Sequence, residues 1–445
     1  MLVLEIWSLS MKDYLRKVLP QSFILWTHKV RGILAALIYR IPAKNIRVIM
    51  VTGTNGKTTT CNMIARILEL ANYKVAMATT INFKIGAREW KNKTKMTVVS
   101  PFALQRFLRE AVKAGCHWLV LETTSHSIAQ NRIWSIEPKI AVLTNITHDH
   151  LDYHQTYEEY RDTKAKIFQK SETAIINMDD KSASFFLKMA GPKIITYGTE
   201  SPENERPSKP EILAKKIILE PTGSLFTVVT PQTQVAIDLK LPGKFNIYNC
   251  LAALAVAIEL KINLGLAKQA LEAIENIPGR MEKVDMGQSF AVIIDYAHTP
   301  DALEKIYATL ALSKKGRIIA VFGACGDRDR SKRPIMGALA GRFADVVIIT
   351  NEDPYTEDPA RIIEEVASGV PRGASKNNPK IEGKNFFKIF DRREAIQKAF
   401  SLAQKGDIVL ITGKGAEDWM VVGHQKIPWS DKKVAKELLL KRLNQ

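Results

Sequence analysis

A chain of 445 residues, 46% hydrophobic and 25% charged, is longer than one hydrophobic core can organise, so two or three domains are expected and disorder is excluded. Its four cysteines, Cys61, Cys116, Cys250 and Cys325, lie far apart with no CxxC spacing; this excludes a zinc ribbon or disulfide framework and points to a reducing cytoplasmic setting. A formal charge of +18 would attract polyanions, but the basic residues are spread along the chain, so nucleic acid is not an expected partner.

In chain order, residues 18–41 are the most apolar near the N-terminus, but His28, Lys29 and Arg31 interrupt them at mid-span. That is too costly for a lone spanning helix. The segment reads as an amphipathic helix docked on the next domain, while its cations and Phe23, Trp26 and Tyr39 would also suit peripheral contact with a membrane. From Asn45 onward, short β-branched runs alternate with helical ones, the pattern of a mostly parallel sheet with crossover helices. A strand is predicted at 47–51, a helix at 59–71, and buried strands at 118–121 and 140–143, whose carboxyl ends are where such sheets hold ligands. Pro202, Pro207 and Pro210 mark a loop before β-like alternation, and a helix at 249–275 leads to a turn at 277–280. Strands at 291–295, 317–322, 346–350 and 408–412 then read as a second doubly wound unit.

The predicted fold is therefore α/β. A helical extension (1–45) precedes a central P-loop-type ATPase domain with a mostly parallel sheet (46–280), and a C-terminal Rossmann-like α/β domain (281–445) follows.

Residues 52–59 (TGTNGKTT) sit between a strand and a helix, where backbone N–H groups can hold polyphosphate. Lys57 would neutralise phosphate and Thr58 would bind Mg²⁺, although the loop is shorter than the standard form because position 51 is Val. Glu122 and His150, at later strand ends, could complete a magnesium shell. The run from Thr147 to His154 also admits a transition metal through His148, His150 and His154, but the nucleotide loop favours magnesium.

With TGTNGKTT, the motifs ETTSH, TNITHDHLDYH, LPGKFNIYN, DYAHTPDALEK, GDRDRSKRP and GKGAEDW follow in order, and together they resemble the Mur ligase family, in particular its tripeptide synthetases. The resemblance implies an ATP-dependent ligase that activates a carboxylate as an acyl phosphate and then adds an amino acid. It assigns Gly53, Thr54, Asn55, Gly56, Lys57, Thr58, Thr59, Asn246, Asn249, Arg280, Asp295 and His298 to ATP. Thr58, Glu122, His150 and a carbamylated Lys164 would hold two Mg²⁺ ions, and Lys57, Glu122, His150, Lys164 and Arg280 form the implied catalytic set.

Thr97, Thr124, Gln130 and Arg132 match positions for a nucleotide-sugar peptide acceptor, and Arg333, Glu352, Asp353, Tyr355, Gly413 and Glu417 match positions for the incoming amino acid. Two departures shape the expectation. Members that add diaminopimelate carry Asp-Asn-Pro-Arg where this chain has Glu352, Asp353, Pro354 and Tyr355, so lysine or another cationic residue is expected to be added. The residues before Ile46 are also too few for the family's uridine-diphosphate-gripping domain, which is expected to be missing. That leaves a lipid-linked precursor, or a non-catalytic assembly protein, as alternatives to a monomeric enzyme acting on a uridine-linked acceptor.

Overall fold

The computed structural model describes residues 21–92, 94, 97–147, 151–200, 205–220, 222–371 and 379–443. Eleven strands lie between Arg47 and Leu239: β1 (Arg47–Thr52), β2 (Val75–Ala78), β3 (Asn82–Ile85), β4 (Arg88–Lys91), β5 (Trp118–Glu122), β6 (Ile140–Leu143), β7 (Thr173–Asn177), β8 (Lys193–Thr199), β9 (Ile212–Leu219), β10 (Ser224–Val229) and β11 (Gln234–Leu239). They form one sheet in the order β11-β10-β9-β8-β7-β6-β1-β5-β2-β3-β4. The seven strands from β9 to β2 run parallel, while the edges are antiparallel hairpins.

The central strands are buried on both faces, which is why they read as continuous apolar runs. Ile49, Val51, Val120 and Val142 pack against the helices Lys57–Leu70, Lys244–Glu259 and Leu264–Glu272. Met50, Leu119, Leu121 and Leu143 face the other side, against Pro101–Lys113. The continuous helix predicted at 249–275 is in fact two helices. Lys261 adopts φ 56 and the Asn263 side chain accepts from the N–H groups of Gly265 and Leu266, so the chain stops and is recapped.

The turn predicted at 277–280 is present, closed by Arg280 N–H donating to Ile277 O at 3.0 Å. It leads to a second sheet of β12 (Glu282–Lys283), β13 (Ala291–Asp295), β14 (Ile318–Phe322), β15 (Val346–Thr350), β16 (Phe386–Ile389) and β17 (Ile408–Thr412), ordered β12-β13-β17-β14-β15-β16 and parallel except at β12. β18 (Trp419–Val422) and β19 (Gln425–Pro428) make a separate hairpin. Arg392 and Asp431, both fully buried, pair at 2.7 and 2.8 Å, and Arg392 also donates to Thr412 O, which fixes the end of β17. The two sheets meet across a cleft bridged by Asn55 to Asp301 at 2.6 Å and Lys91 to Asp418 at 2.9 Å.

The helix Gln21–Ile38 lies within the span predicted for the N-terminal extension and packs on Pro101–Lys113. Among the described residues no helix is long and apolar enough to cross a membrane.

Candidate active site

β1 delivers the chain into the phosphate loop. Gly53 has φ 146, and a Cβ there would collide with Thr144 Oγ1 at the end of β6, so no larger residue fits. Gly56, at φ 84, begins the helix Lys57–Leu70 without a side-chain cap, which leaves the first helical N–H groups for a ligand. Asn145 grips the loop: its Oδ1 accepts from Asn55 N–H at 3.0 Å and its Nδ2 donates to Asn55 O at 3.0 Å. Lys57 Nζ rests on Thr54 O at 2.8 Å.

Pairing of Val51 with Glu122 puts the β5 carboxylate beside the loop. Glu122 is 2% exposed; its Oε2 accepts from Thr58 Oγ1 at 2.8 Å and from Thr80 N–H at 2.9 Å. Arg280 Nη2 reaches the same Thr58 hydroxyl at 3.3 Å from the turn between the sheets. A hydroxyl and a carboxylate in contact at the start of the helix are a donor set for a hard cation that also touches phosphate. His148 and His150 lie outside the described residues. Lys164, buried, donates through Nζ to Gly53 O at 2.7 Å and sits 4.5 Å from the Tyr160 ring centroid, beneath the loop rather than on the cleft wall.

His154 is buried against His126, Tyr153 and Tyr160, and neither ring nitrogen has a hydrogen-bond partner among the described residues. Burial first, then the neighbouring His126 and Lys164 charges, push its pKa down to about 4. The folded state therefore refuses a proton that the unfolded chain accepts below about 6.5. Stability from this group is present above that pH and is lost as pH falls toward about 4. The melting temperature is expected to drop between pH 7 and 5, and His154→Gln is expected to flatten that drop in thermal denaturation.

Next to Gly56, Asn249 accepts from Thr60 Oγ1 at 3.2 Å and donates to Asn246 Oδ1 at 3.0 Å. Asp295 closes β13 and accepts from the N–H groups of Met281 and Ala297, both at 2.7 Å; burial raises its pKa, and the Arg280 charge opposes that rise. His298 bonds Tyr296 O through Nδ1 at 2.9 Å.

At the far end, Arg132 donates to Val98 O at 2.7 Å and to Gln130 Oε1 at 2.9 Å. Thr97 meets Thr80 Oγ1 at 2.7 Å, and Thr80 in turn donates to Glu122 Oε1 at 3.0 Å, so Thr97 is connected to the carboxylate beside the phosphate loop. Thr124 caps the short helix Ser125–Ala129 through a reciprocal bond with Ser127.

The amino-acid positions need correction. Arg333 is fully buried and does not reach the cleft; it is spent on Glu357 at 3.0 Å, Glu365 at 2.6 Å and Cys325 O at 2.9 Å. Asp353 and Glu417 are both paired with buried Lys414, so they are not two free acids. Glu352 differs: it is 2% exposed, accepts from Cys325 Sγ at 3.1 Å through Oε1, and its Oε2 has no partner among the described residues. Burial and the Asp353 charge raise its pKa. Cys325, Glu352 and Asp353 form a potential metal cluster, but burial keeps the thiol protonated and Lys414 already neutralises Asp353.

A cleft of 1890 Å³ gathers these groups. Of the described candidates, only Gly53, His154, Lys164 and Arg333 do not line it. It adds Thr80, Asn145, Asp301, Arg328 and Lys332, together with Ile24, Leu25 and His28 of the N-terminal helix. Asn145, Arg328 and Lys332 sit inside motifs read as family markers, without an individual role assigned to them.

Comparison with known proteins places this geometry. The family model for the Mur ligase middle domain matches residues 51–257, and that for the Mur ligase glutamate ligase domain matches residues 279–415. The UDP-N-acetylmuramoyl-L-alanyl-D-glutamate–2,6-diaminopimelate ligase of Syntrophomonas wolfei subsp. wolfei is 40% identical over 418 residues, covering 93% of this chain and 82% of its own. The UDP-N-acetylmuramyl-tripeptide synthetase of Roseiflexus sp. is 38% identical over 423 residues, covering 91% and 81%. A solved structure of a UDP-N-acetylmuramoyl-L-alanyl-D-glutamate–2,6-diaminopimelate ligase superposes with a TM-score of 0.64 at 32% identity, covering 94% of this chain and 84% of that one. Matched along both sheets and by relatives aligned over four-fifths of their own length, the chain belongs to the Mur ligase family of ATP-dependent, ADP-forming ligases.

Proposed function

We propose that this protein joins a free amino acid to the terminal carboxylate of a muramoyl-dipeptide acceptor in cell-wall peptide synthesis, adding the third residue. The observation that carries the reading is the contact of Thr58, Glu122 and Arg280 at the uncapped helix start, in the same cleft as the acidic pocket around Glu352. An acceptor carboxylate oxygen attacks the γ-phosphorus of ATP and ADP leaves. The amine of the amino acid then attacks the acyl carbon, loses a proton, and expels phosphate carrying that carboxylate oxygen.

Lys57 and the N–H groups of the loop stabilise the charge that develops on the phosphoryl oxygens. Thr58 and Glu122, with His150 as the family resemblance implies, would hold magnesium, which would supply further charge neutralisation there. We assign Lys164 as the carbamylated second-metal ligand. The family resemblance implies this modification, and a carbamate would turn the cation into an anionic metal ligand whose remaining N–H can keep the bond to Gly53 O. The units carrying this chemistry are residues 46–280 and 281–445, with 1–45 as an N-terminal extension.

The amino acid is cationic, lysine or ornithine, because Glu352 Oε2 is a buried acceptor awaiting a donor and Tyr355 offers a distal carboxylate no charge. One observation favours diaminopimelate instead: Arg328 lines the cleft 5.4 Å from the Tyr355 ring centroid and brings a guanidinium to that position. ADP release measured across lysine, ornithine and diaminopimelate, with uridine-linked and lipid-linked acceptors, separates these readings. Turnover with lysine or ornithine above diaminopimelate is expected. A preference for diaminopimelate removes the cation-only reading, and no turnover with any pair leaves a nucleotide-binding assembly protein.

A further inference from the structure

The helix Gln21–Ile38 has two faces with opposite fates. On one, Ala35 and Ala36 are fully buried and Gly32 lies so close to Asn131 O and Trp134 that a Cβ would not fit. Ile24, Leu25 and His28 of the helix line the same cleft as Gln130 and Arg132. The other face carries Phe23, Trp26, Val30, Leu34, Leu37 and Ile38 at three- and four-residue steps. Five of them remain open to solvent: Phe23 46%, Trp26 59%, Leu34 47%, Leu37 56% and Ile38 64% exposed.

A helix docked on a globular domain puts polar residues on its outer side. Here the outer side is apolar, and these five are the one concentration among the fourteen large apolar side chains exposed in the described residues. At about 100° per residue, Lys29 falls on the Trp26 edge of the stripe and Arg31 on the Ile38 edge, both exposed. Residues 21–56 contain Lys29, Arg31, Arg40, Lys44 and Arg47 and no Asp or Glu. An apolar stripe with aromatic rings, bordered by cations and free of carboxylates, complements an anionic lipid surface rather than a protein interface of mixed charge.

We propose that this face seats the protein on an anionic bilayer, with the apolar side chains at the boundary of headgroups and acyl chains and the cations against lipid phosphates. The inner face of the helix lines the cleft, so docking holds the acceptor end of the cleft near the membrane. This proposal stands on the helix and its charges and does not depend on which amino acid is added.

The test is co-sedimentation of the full chain with vesicles of phosphatidylcholine alone or mixed with phosphatidylglycerol. Sedimentation with the mixed vesicles only, weakening as salt rises, is expected. Trp26→Glu with Leu37→Glu should reduce it by about tenfold or more, with ADP formation on a soluble acceptor retained. Lys29→Glu with Arg31→Glu, which leaves the apolar stripe intact, should also reduce it and carries the test if the first pair does not fold. The proposal is overturned if the wild-type chain stays in the supernatant, or if both variants sediment as wild type does. It is equally overturned if the Trp26/Leu37 pair instead converts a dimer to a monomer in sedimentation equilibrium with no vesicle binding, which would make a second copy the occupant.

Discussion

Lys57→Met is expected to lower kcat/KM for ADP formation by about a thousandfold and to leave the melting temperature within a degree or two of wild type. The side chain is half-buried at the start of the helix, and its Nζ donates to Thr54 O within the loop at 2.8 Å. The loop is held independently by Asn145, Thr144 and the backbone conformations of Gly53 and Gly56. The transition state loses a cation aimed at oxygens that gain charge during phosphoryl transfer, and a preorganised donor of this kind is worth about 3–4 kcal/mol. Steady-state ADP release with saturating acceptor and amino acid measures the effect. A loss below about tenfold would remove Lys57 from the phosphoryl-transfer machinery.

Glu352→Gln addresses the other end of the cleft. Its expected effect is a rise of about thirtyfold or more in KM for lysine or ornithine, with kcat changed far less and stability unchanged or increased. The asymmetry follows from burial: desolvation and the Asp353 charge raise the pKa of this carboxyl, Arg392, the Cys325 thiol and Lys414 offset that only in part, and an incoming ammonium would relieve it further. Losing one partner of a desolvated charge pair costs about 2–5 kcal/mol in binding. Asp353 and Glu417, already paired with Lys414, would report structural disruption instead, because removing either leaves a buried ammonium under-compensated. Amino-acid titrations at fixed ATP and acceptor distinguish the two patterns.

The sequence made the parallel strands and the phosphate loop legible, because both depend on local signals. β1, β5, β6, β13, β15 and β17 are unbroken apolar runs buried on both faces, and the two loop glycines stand where φ is positive. The break at 260–263 was not legible, since the residues on both sides are good helix formers and only Asn263 signals a new start. The acidic pocket misled for a different reason. A pair of acids at Glu352 and Asp353 reads as vacant charge, and nothing local reveals that Lys414, sixty-one residues from Asp353, already occupies one of them. Likewise Arg333 sits in a motif that suggests ligand contact, yet Glu357 and Glu365 claim it from the following loop and helix. Its contribution is to hold Cys325 O, and with it the segment that leads to Arg328 on the cleft wall.

Activation of the acceptor carboxylate by phosphorylation is the step on which the proposed reaction turns. An acceptor whose terminal carboxylate carries oxygen-18 tests it directly when turned over with unlabelled ATP and the preferred amino acid. With both carboxylate oxygens labelled, each phosphate released is expected to carry one labelled oxygen, because the bond from carboxylate oxygen to phosphorus forms before the amine displaces it. Release of unlabelled phosphate alongside formation of the peptide bond would contradict it.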